Sequence, residues 1–266
     1  MYGRSTALAI SVALLSACGR PEEAPRVELP VVVDASGVTT VTTDLGYTVE
    51  LVEARMVIRD LVFSVAGEVH ATGLWSTIAD FLLPTAVAHP GHFQGGEVTG
   101  ELRGRFLLDF VPGNGDVELG TATLLVGAYE SVNFVFERAE DGDGLDADDP
   151  LLGHTALLRG HASKDENSIA FTAVIDSPEG RELTGAPFSL EVTEASRQRL
   201  GIRFLTEDPF EGDTVFDGID FGALDADGDG ELTLDPAPTE PSLRDAMNRF
   251  RRTFQTHDHF DVRVFE

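Results

Sequence analysis

The chain of 266 residues has a single cysteine, Cys18, so it cannot form an internal disulfide bond. It is also poor in positive charge, with 19 Lys and Arg residues against 46 Asp and Glu residues and a formal net charge of −27. This charge opposes contact with nucleic acid and with anionic lipid, and it favours cations. An acidic surface is also frequent in exported and salt-adapted proteins, where it serves solubility alone.

The signatures of common catalytic sites are missing as well. The sequence contains no Gly-x-Ser-x-Gly elbow, no phosphate-binding glycine loop, no His-Glu-x-x-His motif and no dinucleotide fingerprint. Ser, His and Asp are all present, but their spacing does not arrange them as a triad. We therefore predict a protein that binds and does not catalyse. The sole tryptophan, Trp75, is expected in a core or a pocket.

The N-terminus has the pattern of an export signal. Arg4 precedes an apolar run that is shorter than the roughly 20 residues needed to span a bilayer. Leu15-Ser16-Ala17-Cys18 resembles the lipobox of bacterial lipoproteins. The resemblance implies that residues 1–17 are a signal peptide and that Cys18 is lipidated. The alternative is an ordinary secretory signal with a chance cysteine.

The residue after the cysteine bears on the location of the protein. Gly19 stands where an Asp would tend to retain a lipoprotein at the inner membrane. The lipoprotein resemblance therefore implies anchoring at the outer membrane, on the periplasmic side or at the cell surface. Residues 18–29 are polar and proline-bearing, and they are predicted to form a flexible tether.

Residues 30–266 are predicted to form one all-β domain. Short alternating apolar runs broken by Gly, Pro, Asp and Asn favour an antiparallel β-sandwich of the Ig-like or jelly-roll type. One or two short helices are expected, at residues 74–83 and, with apolar residues at helical spacing, at 242–254. The predicted strands are 47–53, 56–65, 97–110, 121–126, 131–137, 168–176, 187–193, 199–205 and 260–265.

Four of the seven histidines form two close pairs. His89 and His92 lie in a loop rich in proline and glycine, and His257 and His259 lie where the C-terminal helix meets the last strand. Imidazole is a common ligand of late transition metals, and a His-x-His pair on a strand places both rings on one face. If the pairs meet, they form a nitrogen site suited to copper or zinc, with Asp258 as a further ligand or an orienting acceptor.

Simpler explanations exist for these histidines, because such residues in an acidic protein are often surface residues only. His70 is a fifth candidate ligand because it is close in sequence to the first pair. His154 and His161 rank lower, since an odd spacing within one strand would point their rings to opposite faces.

A second candidate site is acidic. Asp225, Asp227 and Asp229 alternate along the chain and are followed by Gly230 and Glu231, as in the opening of a calcium loop. Three carboxylates at this spacing wrap one hard cation, and the glycine permits the sharp turn. The alternative is an acidic turn without an ion.

The same segment departs from an EF-hand calcium loop in two respects. Pro236 stands at the twelfth position, where a bidentate Glu is expected, and no clear helix enters the loop. The segment is therefore closer to the isolated calcium loops of secreted proteins. Residues 141–149 carry a looser acidic pattern, which predicts a solvated hairpin loop, with a calcium loop as the alternative.

Two resemblances point to metal handling. Ala88-His89-Pro90-Gly91-His92 resembles the short histidine motif of the HupE/UreJ metal permeases, which implies a metal-ligating role for His89 and His92 only, since their membrane helices are missing here. Residues 46–63 (GYTVELVEARMVIRDLVF) and 127–134 (GAYESVNF) are similar in pattern to the MbnP-like periplasmic copper-binding proteins. That family is β-rich, exported and associated with copper, which implies copper before zinc.

The sequence thus predicts an exported lipoprotein that sequesters or hands over copper, or else zinc, through clustered histidines. Calcium at the acidic loop would add stability. One alternative is a calcium-stabilised binding or adhesion module at the cell surface, in which the histidines are incidental. Another is an enzyme with an open metal position. The expected partners are metal ions, the membrane through the lipid anchor alone, and a protein that the sequence does not name.

Overall fold

The computed structural model describes residues 25–65, 98–111 and 117–266. Its content is 53% strand and 13% helix. The strands are β1 (Arg26–Val33), β2 (Val41–Thr42), β3 (Thr48–Val65), β4 (Val98–Asp109), β5 (Val117–Leu125), β6 (Gly127–Phe136), β7 (Ala156–Lys164), β8 (Asn167–Ile175), β9 (Glu182–Val192), β10 (Arg199–Phe204), β11 (Glu231–Leu234) and β12 (Phe260–Phe265). The helices are α1 (Phe221–Leu224) and α2 (Pro241–Phe254), and short 3₁₀ turns lie at Ala35–Gly37, Asp141–Asp143 and His257–His259.

The strands pair into one large sheet in the order β11-β8-β7-β3-β4-β5-β1-β10-β12-β9-β6. Strand β3, with 18 residues, connects distant parts of this sheet because its first half pairs with β7 and its second half pairs with β6. The predicted all-β, sandwich-like fold is confirmed. The sheet is mixed, however, since β1 and β10, β8 and β11, and β9 and β12 pair in parallel.

Strand β3 is continuous where the sequence predicts two strands, at 47–53 and 56–65. The register with β4 shifts between Arg59 and Leu61, and Asp60 adopts a left-handed conformation with φ of 52°. The Asp60 carboxylate accepts a hydrogen bond from the backbone N–H of Gly104 at 3.0 Å. A bulge of this kind bends and twists a strand without ending it. The single strand can thus change neighbours partway along its length.

Phenylalanine dominates the core. Phe260 of β12 packs against Phe134 of β6, Phe204 of β10 and Phe254 of α2, with ring centroids 5.3, 5.5 and 5.8 Å apart. All four side chains are at most 1% exposed. Truncating one such ring to alanine typically costs about 3–5 kcal/mol. The aromatic cluster thus fixes the C-terminal helix and strand onto the sheet.

The predicted C-terminal helix is confirmed as α2, which buries Met247, Phe250 and Phe254 on one face. It begins one residue earlier than expected, with Glu240 at the N-cap position and Pro241 in the first turn. Proline suits this position because the first backbone N–H groups of a helix have no partner within it. None of the helices in the described parts of the chain is long and apolar enough to cross a membrane.

The N-terminal boundary of the fold differs from the prediction. Strand β1 begins at Arg26, and Leu29 is fully buried, so residues 26–29 belong to the sheet and not to a tether. The polar, proline-bearing composition of residues 18–29 favours a tether, yet β1 includes the last four of these residues and continues through Pro30. The signal segment, the helix predicted at 74–83 and Trp75 lie outside the described residues.

Candidate cation-binding sites

The helix α1 holds the entry to the acidic loop. Asp220 caps it, accepting hydrogen bonds from the backbone N–H of Ala223 at 3.2 Å and from the Tyr47 hydroxyl at 2.7 Å. The Tyr47 hydroxyl in turn accepts one from the N–H of Gly222 at 2.9 Å. The hydrogen bond from Tyr47 is the main cause that lowers the pKa of Asp220. Together with the buried ring of Phe221, these contacts fix where the loop begins.

The loop gathers three carboxylates. One oxygen from each of Asp225, Asp227 and Asp229 lies within 4.8 Å of the others. The Asp225 carboxylate accepts hydrogen bonds from the N–H groups of Gly228 and Gly230 at 3.0 and 3.1 Å. Both glycines have positive φ, of 70° and 80°, which lets the chain turn around the cluster. Because Ca²⁺ binds oxygen at 2.3–2.6 Å, ligands on opposite sides of the ion are about 5 Å apart, which matches this spacing.

The C-terminal end of the loop is fixed by strand pairing. Strand β11 begins at Glu231 and pairs in parallel with β8, and the buried side chains of Leu232 and Leu234 join the core. The N–H of Ala170 donates to the carbonyl of Gly230 at 2.8 Å. Glu231, the fourth predicted calcium ligand, is exposed and does not belong to the carboxylate group. The structure also adds the entering helix that the sequence does not reveal.

In the other acidic loop, at residues 141–149, arginine side chains pair with the aspartates. Arg105 donates to both carboxylate oxygens of Asp143 at 2.8 and 3.0 Å, and Arg55 does the same to Asp149 at 2.8 and 2.9 Å. The hydrogen bonds from Arg55 lower the pKa of Asp149. Burial raises the pKa of Asp143, but the hydrogen bonds from Arg105 and from the Glu140 backbone, together with the charge of Arg105, outweigh it and the net change is downward. The guanidinium groups supply the positive charge that a cation would supply.

The C-terminal histidine pair lies where the C-terminal helix meets the last strand, as the sequence indicates, but not on the strand itself. His257 and His259 form a 3₁₀ turn, and β12 begins at Phe260. His259 is 1% exposed, and its Nδ1 lies 3.0 Å from the carbonyl oxygen of Leu205. His257 is partly exposed and places Nε2 at 3.0 Å from the Asp258 carboxylate. The 3₁₀ turn has three residues per turn, which separates the directions of the two rings.

The remaining predicted ligands are distributed as follows. His70, His89, His92 and the lipidation residue Cys18 lie outside the described residues, so the four-histidine site stays a prediction. His154 precedes β7 and contacts the Asp176 carboxylate at 2.8 Å, whereas His161 is exposed on β7. Within the described ranges, no histidine joins a group of three metal-ligating side chains.

A third acidic group was not predicted from the sequence. Asp208, Glu211 and Asp213 lie in the loop that follows β10, and one oxygen from each lies within 4.8 Å of the others. Asp208 is only 2% exposed. Burial raises the pKa of Asp213, as does the charge of Asp208, while the charge of His259 partly opposes the rise. The spacing of these carboxylates departs from the Asp-x-Asp-x-Asp pattern of an EF-hand calcium loop, so only the fold reveals the group.

Comparison with known proteins gives no relative for this chain. No family model, no curated protein and no solved structure matches it. The chemistry of the sites therefore follows from their own residues.

Proposed function

We propose that this protein is an exported, lipid-anchored β domain that binds calcium in the loop at residues 225–229 and acts by binding, as a calcium-stabilised module at the cell surface. The observation that carries the proposal is the gathering of Asp225, Asp227 and Asp229 within 4.8 Å of one another. No arginine or lysine within the described ranges forms an ion pair with these three carboxylates. Their mutual repulsion therefore favours a bound cation.

The ligand set favours calcium over other ions. Only oxygen donors are available in the loop, and Ca²⁺ accepts six to eight oxygens in a flexible geometry that includes backbone carbonyls and water. Pro236 removes the bidentate glutamate that gives intracellular sensors their affinity. A dissociation constant of about 10⁻⁴ to 10⁻³ M is then expected, as for extracellular calcium modules. Such weak binding suits the calcium levels outside the cytoplasm and agrees with the export signal.

Transition-metal handling is a second proposal, with copper first and zinc second. One feature of His259 supports it. Since a carbonyl oxygen can only accept, Nδ1 must donate to Leu205, and metal-ligating imidazoles are commonly oriented by such a bond from their other nitrogen. The ligands proposed from the sequence are His89, His92, His257 and His259, with His70 nearby. This observation concerns the ring of His259 alone, so we rank transition-metal handling second.

Calcium titration of the purified protein by calorimetry tests the first proposal. We expect about one calcium ion to bind, and the Asp227→Asn variant to lose this binding. The Asp148→Asn variant is the matched control, because it removes the same charge from an exposed position in the other acidic loop. Equal calcium binding by wild type and Asp227→Asn would refute the site.

A further inference from the structure

The outer side of helix α2 is rich in arginine. Met247, Phe250 and Phe254 form the buried face of the helix. The arginines lie outside this buried face and are here called the arginine face of α2: Arg244, Arg249, Arg251 and Arg252. The chain as a whole has 19 basic and 46 acidic residues. The helix therefore carries a local positive patch on a protein with a formal net charge of −27.

The arginine face lacks the carboxylate partners that arginines have elsewhere in the protein. Arginines of the sheet form paired hydrogen bonds with carboxylates, as seen at Arg55, Arg105 and Arg203. Within the described residues, no carboxylate forms an ion pair with the arginine face. Arg251 donates to the carbonyl of Pro236 at 2.8 Å, and Arg252 donates to the carbonyl of Asn248 at 3.3 Å. The positive charge of this face is thus not neutralised by the fold.

The stability of the helix does not explain the whole arginine face. Arg249 and Arg252 are three residues apart, and like charges at this spacing on a helix repel each other. The C-terminal end of a helix favours positive charge, which suits Arg251 and Arg252. Arg244 lies in the first half of the helix, where the dipole gives a positive charge no advantage. An anionic partner would relieve the repulsion.

The spacing of the exposed side chains indicates the shape of such a partner. Arg244, Asn248 and Arg252 follow one another at intervals of four residues, so they form a line along the helix with steps of about 6 Å. In an extended peptide, alternate side chains point to one side at steps of about 6.6 Å. The two spacings are close enough for acidic side chains at alternate positions to meet this line. A guanidinium group binds a carboxylate through two parallel hydrogen bonds.

A shallow depression beside this line offers room for a side chain of the partner. Its volume is about 570 Å³. It is lined by Asp245, Asn248, Arg249, Arg251 and Arg252. Another hollow separates α2 from α1 and is lined by residues of both helices, including Leu224 and Arg249. Leu224 directly precedes Asp225, so the acidic loop at 225–229 begins next to α2.

We propose that the arginine face of α2 binds an extended acidic segment of a partner polypeptide, with carboxylates at alternate positions that pair with Arg244 and Arg252. A membrane surface or a nucleic acid fits less well, because a broad polyanion would also meet the acidic loop and the acidic surface around the helix. A narrow chain contacts the helix alone. The inference rests on the proposed function only in that the protein acts by binding, and it does not require calcium.

Fluorescence anisotropy of a labelled peptide of alternating Glu and Ser tests the proposal, with the purified full-length protein in the presence of a chelator. We expect saturable binding that weakens as the salt concentration rises, because exposed charges are screened. The variant with both Arg244→Glu and Arg252→Glu should bind about 10-fold more weakly or worse, since like charges then face each other. The matched control carries Arg181→Glu and Arg197→Glu, which reverse two exposed arginines that also lack an acidic partner among the described residues. It should bind the peptide like the wild type.

Calcium titration of the same proteins separates this surface from the acidic loop. The variant at Arg244 and Arg252 should keep its calcium binding, and Asp227→Asn should lose calcium but keep the peptide. Equal peptide affinity in the wild type and in the variant at Arg244 and Arg252 would overturn the proposal. Peptide binding that requires calcium and is lost in Asp227→Asn would overturn it as well, because the peptide would then bind at the acidic loop.

Two further measurements test other occupants of the same surface. Vesicles of phosphatidylglycerol report contact with a lipid surface, and sedimentation of the protein alone reports contact with a second copy. We expect neither vesicle binding nor self-association. If the peptide does not bind, and either of these interactions is present and is lost in the variant at Arg244 and Arg252, the proposed polypeptide partner is wrong.

Discussion

The two Asp- and Gly-rich loops of this protein have similar composition but different partners. In the loop at 141–149, Arg55 from β3 and Arg105 from β4 pair with aspartates through two hydrogen bonds each. In the loop at 225–229, the hydrogen bonds to Asp225 and Asp229 come from backbone N–H groups. The sheet therefore supplies a permanent counter-charge to one loop and leaves the other open to an ion from solution.

The difference depends on long-range contacts. Arg55 lies 94 residues before Asp149 in the chain, and Arg105 lies 38 residues before Asp143. The local sequence of each loop is rich in acidic residues and glycine in both cases. A cation motif in a highly acidic protein thus becomes informative only once the positions of the arginines are known.

The largest expected effect concerns calcium and stability. At a calcium concentration 100 times the dissociation constant, binding to the folded state alone adds about 2.7 kcal/mol to the free energy of unfolding. For a chain of this size this raises the melting temperature by about 5–10 °C. Asp227→Asn should remove the shift, and Asp148→Asn should keep it. Calorimetric melts with calcium and with a chelator measure the shift in both variants. A shift that is retained in Asp227→Asn would show that calcium binds at another site.

The next effect should come from removing an arginine from the other loop. Arg55→Gln leaves the carboxylate of Asp149 without its cation and leaves Glu53 with Arg159 alone, and both carboxylates are largely shielded from solvent. We expect a loss of about 2 kcal/mol in urea unfolding. The double variant with Asp149→Asn should recover part of the loss, because the two residues act through one interaction. Calcium should restore little of the lost stability. Full restoration by calcium would show that the two loops bind calcium alike.

A smaller effect is expected at the base of the calcium loop. Tyr47→Phe keeps the buried ring but removes the hydroxyl that donates to Asp220 and accepts from Gly222. We expect a destabilisation of about 1 kcal/mol and weaker calcium binding, although no calcium ligand is changed. Urea unfolding and calcium titration of the same variant measure the two quantities. Calcium affinity equal to that of the wild type would show that the helix cap does not position the loop.

The sequence predicts the parts of this fold that local patterns determine. Alternating runs reveal most strands, and the spacing of Met247, Phe250 and Phe254 reveals α2. The continuity of β3 across Ala54 and Arg55 could not be predicted, since it depends on pairing with the distant strand β7. Strand β1 was missed because the polar, proline-bearing residues 18–29 suggest a tether, although its partners β5 and β10 pair with it.

The candidate sites also differ in how far the local sequence predicts them. Asp225, Asp227 and Asp229 alternate along a short segment of the sequence, so their spacing alone predicts the cluster. Asp208, Glu211 and Asp213 have an irregular spacing, and only the folded loop shows that one oxygen from each lies within 4.8 Å of the others. The spacing of His257 and His259 does not reveal that the pair forms a 3₁₀ turn, which ends where β12 begins at Phe260.

The smallest expected effect is the response of the arginine-paired loop to acid. Folding lowers the pKa of Asp149, chiefly through its hydrogen bonds from Arg55, so the stabilisation is present above the unfolded pKa of about 3.9. It is lost as the pH falls through the lower folded pKa, where the carboxylate takes up a proton. The difference in stability between wild type and Asp149→Asn should therefore be constant near neutral pH and shrink below about pH 4. Urea unfolding of wild type and Asp149→Asn across this pH range measures the difference. A difference that stays constant below pH 4 would mean that pairing with Arg55 does not stabilise the ionised form of Asp149.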